Sequence, residues 1–289
     1  MNYTVSTIEK IDERFDFNNT SKYIKSIQLS LNGFSYIATN PMESTHLALR
    51  HYDFGTEIPI KRLLDIVDDL FKNEDILAGH HNHINLSYVS RPWAMVPEML
   101  FSKNSINNLL DINYKADEFS DATYCKIPGS NVVIASRIPT KLVNLLDDKA
   151  SKINIIPHQG AFLYNGLQTL KHNNSERAFF MAVHDQFFEL AYFKGNEIKF
   201  YNNFPYNQYA DVLYYTLAAM EKLEISPAHS SLFLQGNDLV KEIIPNEIKK
   251  HIKNVYLDNQ LYKEQYTYHF DQLPMYKYKL LTGIYRCGS

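Results

Sequence analysis

The feature that most constrains the fold is an alternating pattern that occurs twice in the chain. Residues 26–40 read SIQLSLNGFSYIATN, and residues 178–202 read AFFMAVHDQFFELAYFKGNEIKFYN. Both stretches alternate apolar and polar residues around a turn signal, which is typical of antiparallel strands joined by tight turns. The repetition predicts two similar units in one chain, each opening with a strand meander.

The first unit continues from its hairpin into a helix and further strands. Asn32-Gly33 predicts a type I′ turn, because both of its central positions need positive φ angles. The residues from 58 to 71 carry apolar side chains at helical spacing. The predicted elements after the hairpin are a strand at 46–53, a helix at 58–71, a strand at 83–90 and a short helix or turn at 96–101.

The second unit repeats this order. Its first two strands bend at His184-Asp185, and Lys194-Gly195-Asn196 predicts the turn into a third strand. The predicted elements that follow are a helix at 206–223, a buried strand at 230–236 that ends at Gly236-Asn237, helical segments at 238–252 and a strand at 254–258.

The residues between the two units predict a hairpin about Gly129-Ser130, a helix at 139–149, a strand at 152–158 and a helix within 159–177 that leads into a polar linker. We therefore place a domain boundary near residue 175. The first lobe would be 1–175, with an inserted hairpin region at about 102–138, and the second lobe would be 176–289.

Composition excludes several classes of protein. With 289 residues, 45% hydrophobic and 21% charged, the chain has the balance of a globular protein. A net charge of −3 argues against a protein that binds nucleic acid mainly through phosphate contacts. No apolar run is long enough to span a membrane, and the two cysteines, Cys125 and Cys287, lack metal-site spacing. We expect a cytoplasmic protein.

Two further stretches resemble a known family. SRPWAMVPEMLF at 90–101 and SSLFLQGND at 230–238, together with the second meander, resemble the DUF3822 family of Bacteroidetes proteins of unknown function. The duplicated layout resembles the actin-like ATPase fold, also called ribonuclease H-like. This resemblance implies a bacterial α/β protein with two lobes, each with a mixed sheet flanked by helices, and a nucleotide cleft between them.

In actin-like ATPases, acidic, glycine-rich hairpin loops in both lobes cradle phosphates, and a glycine turn in the second lobe packs on adenosine. The corresponding cleft candidates here are Asn32, Gly33, His184, Asp185, Gly236 and Asn237. The first turn is too short to wrap a phosphate, and Phe187 and Phe188 follow the second, where a backbone should approach the ligand. We therefore predict no catalytic residues and no cofactor.

Histidines offer two other candidate sites. His81 and His83, within GHHNHIN at 79–85, would share one face of a strand and could hold a metal, but no further ligand is visible nearby. We predict solvated loop histidines and no metal site. His184-Asp185 resembles an acid–base pair, but an aspartate that serves to form the turn is the preferred interpretation.

The C-terminal residues 262–279 interleave aromatic and basic side chains, which is how proteins stack and neutralise single-stranded nucleic acid. Acidic residues dilute this run, so a packed helix or strand is the preferred interpretation. We predict a non-catalytic actin-like protein that binds a protein partner or itself through its exposed aromatic surface and that has a degenerate nucleotide cleft. The alternatives are a nucleotide-binding switch or weak ATPase, and a nucleic-acid factor using residues 262–279.

Overall fold

The computed structural model describes residues 6–237, 240, 248–259 and 266–287. Its strands are β1 (Ser6–Ile11), β2 (Ile24–Ser30), β3 (Gly33–Asn40), β4 (Thr45–Asp53), β5 (Ile84–Tyr88), β6 (Trp93–Pro97), β7 (Ser120–Lys126), β8 (Val132–Pro139), β9 (Ile153–Ile155), β10 (Arg177–Val183), β11 (Phe187–Lys194), β12 (Glu197–Pro205), β13 (Ser231–Gly236) and β14 (Asn254–Leu257). Its α-helices are α1 (Ile60–Asn73), α2 (Ile106–Asp111), α3 (Thr140–Leu146), α4 (His158–His172), α5 (Tyr209–Lys222), α6 (Lys249–His251) and α7 (Met275–Cys287). The helical segments predicted at 238–252 lie mostly outside the described residues.

The first sheet has the strand order β1-β4-β3-β2-β5-β9. Strands β2, β3 and β4 form the predicted antiparallel meander, and β5 and β9 run parallel to β2. Helix α1 buries Leu63, Ile66, Val67, Leu70 and Phe71 against this sheet, as its apolar spacing predicts. The order strand–strand–strand–helix–strand is therefore confirmed for the first unit.

The first hairpin turns one residue earlier than predicted. Ser30 pairs with Gly33, so Leu31 and Asn32 form the turn, and neither Asn32 nor Gly33 has a positive φ angle. The predicted type I′ turn at Asn32-Gly33 is wrong. A Cβ atom on Gly33 would lie 3.1 Å from the carbonyl oxygen of Tyr52, so this glycine permits close packing against β4.

The second sheet repeats the topology of the first, in the order β12-β11-β10-β13-β14. Strands β10, β11 and β12 form an antiparallel meander, while β13 and β14 run parallel to β10. Strand β10 is buried on both faces, because Phe179 and Met181 pack towards α5 while Phe180 packs towards α4. This double burial explains why the strand reads as a nearly continuous apolar run.

Helices α4 and α7 lie between the two sheets. Helix α7 packs against the first sheet at Ile37 and also contacts β13 of the second sheet. The two helices meet where Asn165 donates from Nδ2 to the carbonyl oxygen of Lys279 at 2.5 Å. A Cβ atom on Gly283 would lie 2.7 Å from Asn165 Nδ2, so the glycine permits this close approach. The second sheet begins at Arg177, next to the proposed division at residue 175, and that division stays a proposal.

A third, smaller sheet in the order β6-β8-β7 forms no strand pairs with the other two sheets in the described part of the chain, and its apolar side chains pack against α4 and the second sheet. It contains the predicted hairpin about Gly129. The short helix or turn predicted at 96–101 is a 3-10 helix at Glu98–Leu100, and strand β6 ends just before it, at Pro97. Among the described residues, no helix has both the length and the apolar character needed to cross a membrane.

Candidate functional site

The six predicted cleft residues all line one cleft between the two large sheets. The cleft has a volume of 490 Å³. Asn32 and Gly33 enter from the β2–β3 hairpin, His184 and Asp185 from the β10–β11 hairpin, and Gly236 and Asn237 from the end of β13. The duplicated topology places these three segments at the same edge, because the hairpin tips and the carboxyl end of β13 face one another.

Asp185 joins the two halves of this cleft. Asn32 Nδ2 donates a hydrogen bond to Asp185 Oδ2, and Asn237 Nδ2 donates one to Asp185 Oδ1. Asn32 belongs to the first sheet's hairpin, whereas Asp185 and Asn237 belong to the second sheet. Both carboxylate oxygens of Asp185 are therefore engaged by neighbouring amides. We call this arrangement the amide–carboxylate bridge.

A second hydrogen bond crosses the cleft beside the bridge. Gln186 Nε2 donates to Glu57 Oε2 at 2.6 Å, and Glu57 follows the first sheet's strand β4. Partial burial, reinforced by the nearby charge of Asp185, raises the pKa of Glu57. The tip of the β10–β11 hairpin is thus tied to the first lobe through two adjacent residues, Asp185 and Gln186.

Gly236 has a structural reason to be glycine. Its φ angle is +125°, a region that side chains rarely adopt. A Cβ atom there would lie 2.8 Å from the Val183 nitrogen and closer still to the Val183 carbonyl oxygen. The glycine therefore lets the end of β13 pack against the end of β10, and that packing explains it without any ligand.

A buried cluster below the hairpin was missed by sequence reasoning. Glu189, on β11, is fully buried, and its Oε2 atom lies 3.0 Å from His184 Nε2 and 3.3 Å from His158 Nε2. Tyr201, on β12, donates its hydroxyl hydrogen to Glu189 Oε1. His158 is the first residue of α4 and is also fully buried. Two histidines, a carboxylate and a phenol thus converge from four separate elements.

The cluster strongly perturbs the acid–base behaviour of its members. Burial alone would raise the pKa of Glu189, but the close approach of His158 and His184 to its carboxylate outweighs burial, and the pKa is lowered. Burial lowers the pKa of His184, with Glu189 opposing the shift. Burial, together with the charge of Glu189, raises the pKa of Tyr201 well above its ordinary value. Glu189 is therefore an ionised carboxylate enclosed by protein.

One sequence signal could have found this cluster. Glu189 is the only charged residue within the apolar run FFELAYF, and strand β11 is buried along the whole of that run, from Phe187 to Phe193. Carboxylates are rarely fully buried unless they are paired, so such a residue predicts partners from elsewhere in the chain. Its partner His158 lies in a different unit, and periodicity cannot connect the two.

Within the part of the chain that the structure describes, the histidines of residues 80–83 do not belong to a group of metal ligands. His81 is fully buried and its Nε2 lies 2.8 Å from the carbonyl oxygen of Leu77, while burial lowers its pKa to about 4. His83 is half-buried beside Asn154, 2.9 Å from its Nδ2. The prediction of solvated loop histidines is therefore wrong for His81, because the residues around it fold into the first core. Among the described residues, the group suited to a metal is His158, His184 and Glu189.

The C-terminal aromatic and basic run is largely internal. Phe270, Tyr276, Tyr278 and Lys279 are buried, and Tyr268 is exposed. Tyr262 and Lys263 lie outside the described residues. Helix α7 buries Tyr276, Tyr278 and Lys279 between the two sheets, which confirms the interpretation of a packed helix. Buried rings cannot stack on the bases of a nucleic acid.

Comparison with known proteins decides the family. A family model described as "Protein of unknown function (DUF3822)" matches residues 12–255. The chain belongs to the DUF3822 family. No match was found among curated protein sequences.

Solved structures confirm the fold of this DUF3822 protein. It is similar to a Bacteroides thetaiotaomicron protein with an actin-like ATPase fold and unknown function, with a TM-score of 0.76 and 22% identity over 93% of this chain and 98% of that one. It is also similar to a chain of the PilM–PilN type IV pilus biogenesis complex, with a TM-score of 0.61 and 8% identity over 92% of this chain and 98% of that one. The chain therefore has the duplicated actin-like ATPase fold.

Proposed function

We propose that this chain is a non-catalytic actin-like protein that acts through protein contacts. The observation that carries the proposal is the amide–carboxylate bridge between Asn32, Asp185 and Asn237. Hydrolysis of a nucleoside triphosphate needs carboxylates that order Mg²⁺ and backbone N–H groups that cradle phosphates. At this position the carboxylate of Asp185 is engaged by side-chain amides, and the first hairpin turns over two residues. The arrangement favours a cleft that joins the lobes over one that grips phosphates.

Exposed apolar side chains support a role in protein binding. Five of them lie between residues 99 and 124, in and around the third sheet. They are Met99, Leu100, Ile112, Phe119 and Tyr124. Large exposed apolar side chains close together in one module commonly mark a protein contact surface. The similar chain in the PilM–PilN type IV pilus biogenesis complex was solved as part of that complex, which is consistent with a fold that serves as a binding platform.

The direct test of the binding role is sedimentation velocity over a wide range of protein concentrations. We expect either concentration-dependent self-association or a stable complex with a second protein found through gene neighbours. The double variant Met99→Ser and Leu100→Ser should weaken that association without changing the circular dichroism spectrum, because both side chains are exposed. Unchanged association in this variant would contradict the assignment of the contact to this module.

The rival function is a nucleotide switch or weak ATPase of the actin-like class. The cleft volume and the cations Arg91 and Lys277 in its lining are the features that favour it. Phosphate release with MgATP that is lost in Asp185→Ala would establish this rival and overturn the non-catalytic proposal. A matched variant, Asp53→Ala, changes another carboxylate of the cleft lining, one that accepts a hydrogen bond from Gly55 N and is not one of the three bridge residues.

A further inference from the structure

Three potential metal ligands meet at the floor of the cleft. The Nε2 atoms of His158 and His184 flank the same oxygen of Glu189, and the ligand atoms of the three residues lie within 4.8 Å of one another. We propose that His158, His184 and Glu189 form a binding site for zinc, or for a divalent ion that shares its preference for imidazole and carboxylate. Nothing in the proposed binding function requires this ion, so the proposal goes beyond it.

The spacing of the donor atoms fits the size of the ion. Zinc lies about 2.0 to 2.2 Å from histidine nitrogen and carboxylate oxygen, so two donors at a tetrahedral angle are about 3.3 Å apart. The separations from Glu189 Oε2 are 3.3 Å to His158 and 3.0 Å to His184. The two imidazole rings stand at 89° with their centroids 5.5 Å apart, which leaves room for an ion between their edges.

His158 provides an independent indication of a ligand. Its side chain is fully buried, and Nε2 has no hydrogen-bond partner among the described residues, although Glu189 Oε2 is only 3.3 Å away. A buried nitrogen that approaches a carboxylate without hydrogen-bond geometry is costly unless another group engages it. A metal ion placed between the two atoms would engage both. To bind zinc through Nε2, His158 must carry its ring hydrogen on Nδ1. Its Nδ1 atom then no longer accepts the hydrogen bond from Ser90 N, a contact of 3.5 Å that is already at the limit of a hydrogen bond.

The surrounding protein positions the ligands. Tyr201 donates to Glu189 Oε1, which holds the carboxylate with its other oxygen towards the two histidines. His184 is fixed on the β10–β11 hairpin by its stacking on Phe187, at 4.5 Å between ring centroids. In metal sites, hydrogen-bonded partners such as Tyr201 orient the ligands and raise the affinity for the ion. We assign Tyr201 a positioning role.

The chemistry of the ligands selects the ion. Two imidazoles and one carboxylate suit zinc and neighbouring transition metals, whereas Mg²⁺ and Ca²⁺ prefer oxygen ligands alone. The positive ion would also neutralise the charge of Glu189, whose side chain is fully buried. His184 lines the cleft, so a fourth position on the ion would face the cleft and could carry water or a side chain of a binding partner.

The test measures zinc on the full chain, prepared without a polyhistidine tag. Elemental analysis of the purified protein and titration against a chromogenic chelator should give one zinc per chain. Cobalt should give the visible absorption of a tetrahedral site. His184→Asn and Glu189→Gln should each weaken zinc binding by at least about tenfold, because each removes one ligand.

Two controls keep the test decisive. His80→Asn changes an exposed histidine outside the cluster and should leave the zinc affinity unchanged. If Glu189→Gln fails to fold, His184→Asn carries the test, because this side chain is 12% exposed at the cleft surface. Absence of stoichiometric zinc, or zinc binding that survives His184→Asn, would overturn the proposal and leave a metal-free hydrogen-bonded cluster.

Discussion

Lys25 allows the most quantitative test of how the first core is built. It lies on β2, is fully buried, and directs its ammonium group to the carbonyl oxygens of Thr20 and Tyr23, the latter at 3.5 Å. Removal from water penalises the charged form of a lysine. Burial lowers the pKa of Lys25 to about 7, from 10.5 in the unfolded chain. We therefore predict that Lys25→Met alters the dependence of stability on pH.

The sign and size of the effect follow from proton linkage. Between pH 7 and 10.5 the unfolded chain holds a proton on Lys25 that the folded protein has released, so the free energy of unfolding rises with pH. The slope approaches about 1.4 kcal/mol per pH unit, which gives a gain of about 2 to 3 kcal/mol from pH 6 to pH 9. Below pH 7 both states are protonated, and this gain is absent. Lys25→Met removes this titration. The difference in free energy of unfolding between the variant and wild type should therefore shift by about 2 to 3 kcal/mol in favour of wild type from pH 6 to pH 9.

Urea unfolding followed by circular dichroism at pH 6, 7, 8 and 9 measures this difference, because titrations common to both proteins cancel. Lys22→Met is the matched control, since Lys22 is exposed and its ion pair with Asp16 keeps its pKa raised, outside this range. The difference between Lys22→Met and wild type should not change over these four pH values. Parallel curves for Lys25→Met and wild type would show that the ammonium stays charged in the fold and would refute the reasoning.

Three further predictions concern the site and its supports. Gly236→Ala should destabilise the protein by about 2 to 5 kcal/mol in urea unfolding, because backbone strain and a clash with the Val183 backbone add together. Gly129→Ala is the control: this residue also has a positive φ angle but has open space around it, so the substitution should cost only about 1 kcal/mol. Equal losses of stability in the two variants would contradict the clash at Gly236. Lys279→Met should lower the thermal unfolding temperature and reduce the free energy of unfolding by about 3 to 5 kcal/mol, because the buried carboxylate of Asp258 loses an ion-pair partner 3.1 Å away. A reduction below about 1 kcal/mol would mean that water reaches Asp258. Asp185→Ala should speed amide hydrogen exchange at the β10–β11 hairpin, because it removes the bridge between the lobes. Mass spectrometry measures this exchange, and an unchanged rate would show that the bridge does not hold the hairpin.

Local patterns predicted much of the fold because they are set by local physics. Alternation predicted the meanders, and the spacing of Leu63, Ile66 and Val67 predicted α1. The first turn was misplaced because its register depends on the neighbouring strand β4. Residue 33 is a glycine because its backbone packs close to the carbonyl oxygen of Tyr52. No pattern within residues 26–40 reveals this contact with β4.

The cleft was predictable only in part. The family resemblance led to Asn32, Asp185 and Asn237 as residues of one cleft, because the duplicated fold places its hairpins face to face. The hydrogen bonds that join them depend on side-chain positions across the lobes, which one sequence does not contain. His158 and Glu189 were missed for the same reason, since they come from different units and meet only after the lobes pack together.

The central claim is that the cleft joins the two lobes and does not grip a nucleoside triphosphate. Isothermal titration calorimetry of the full chain with MgATP tests it most directly. With Asp185 engaged on both carboxylate oxygens, we predict no measurable heat of binding. Micromolar binding at one site per chain, weakened in Asp185→Ala, would contradict the claim.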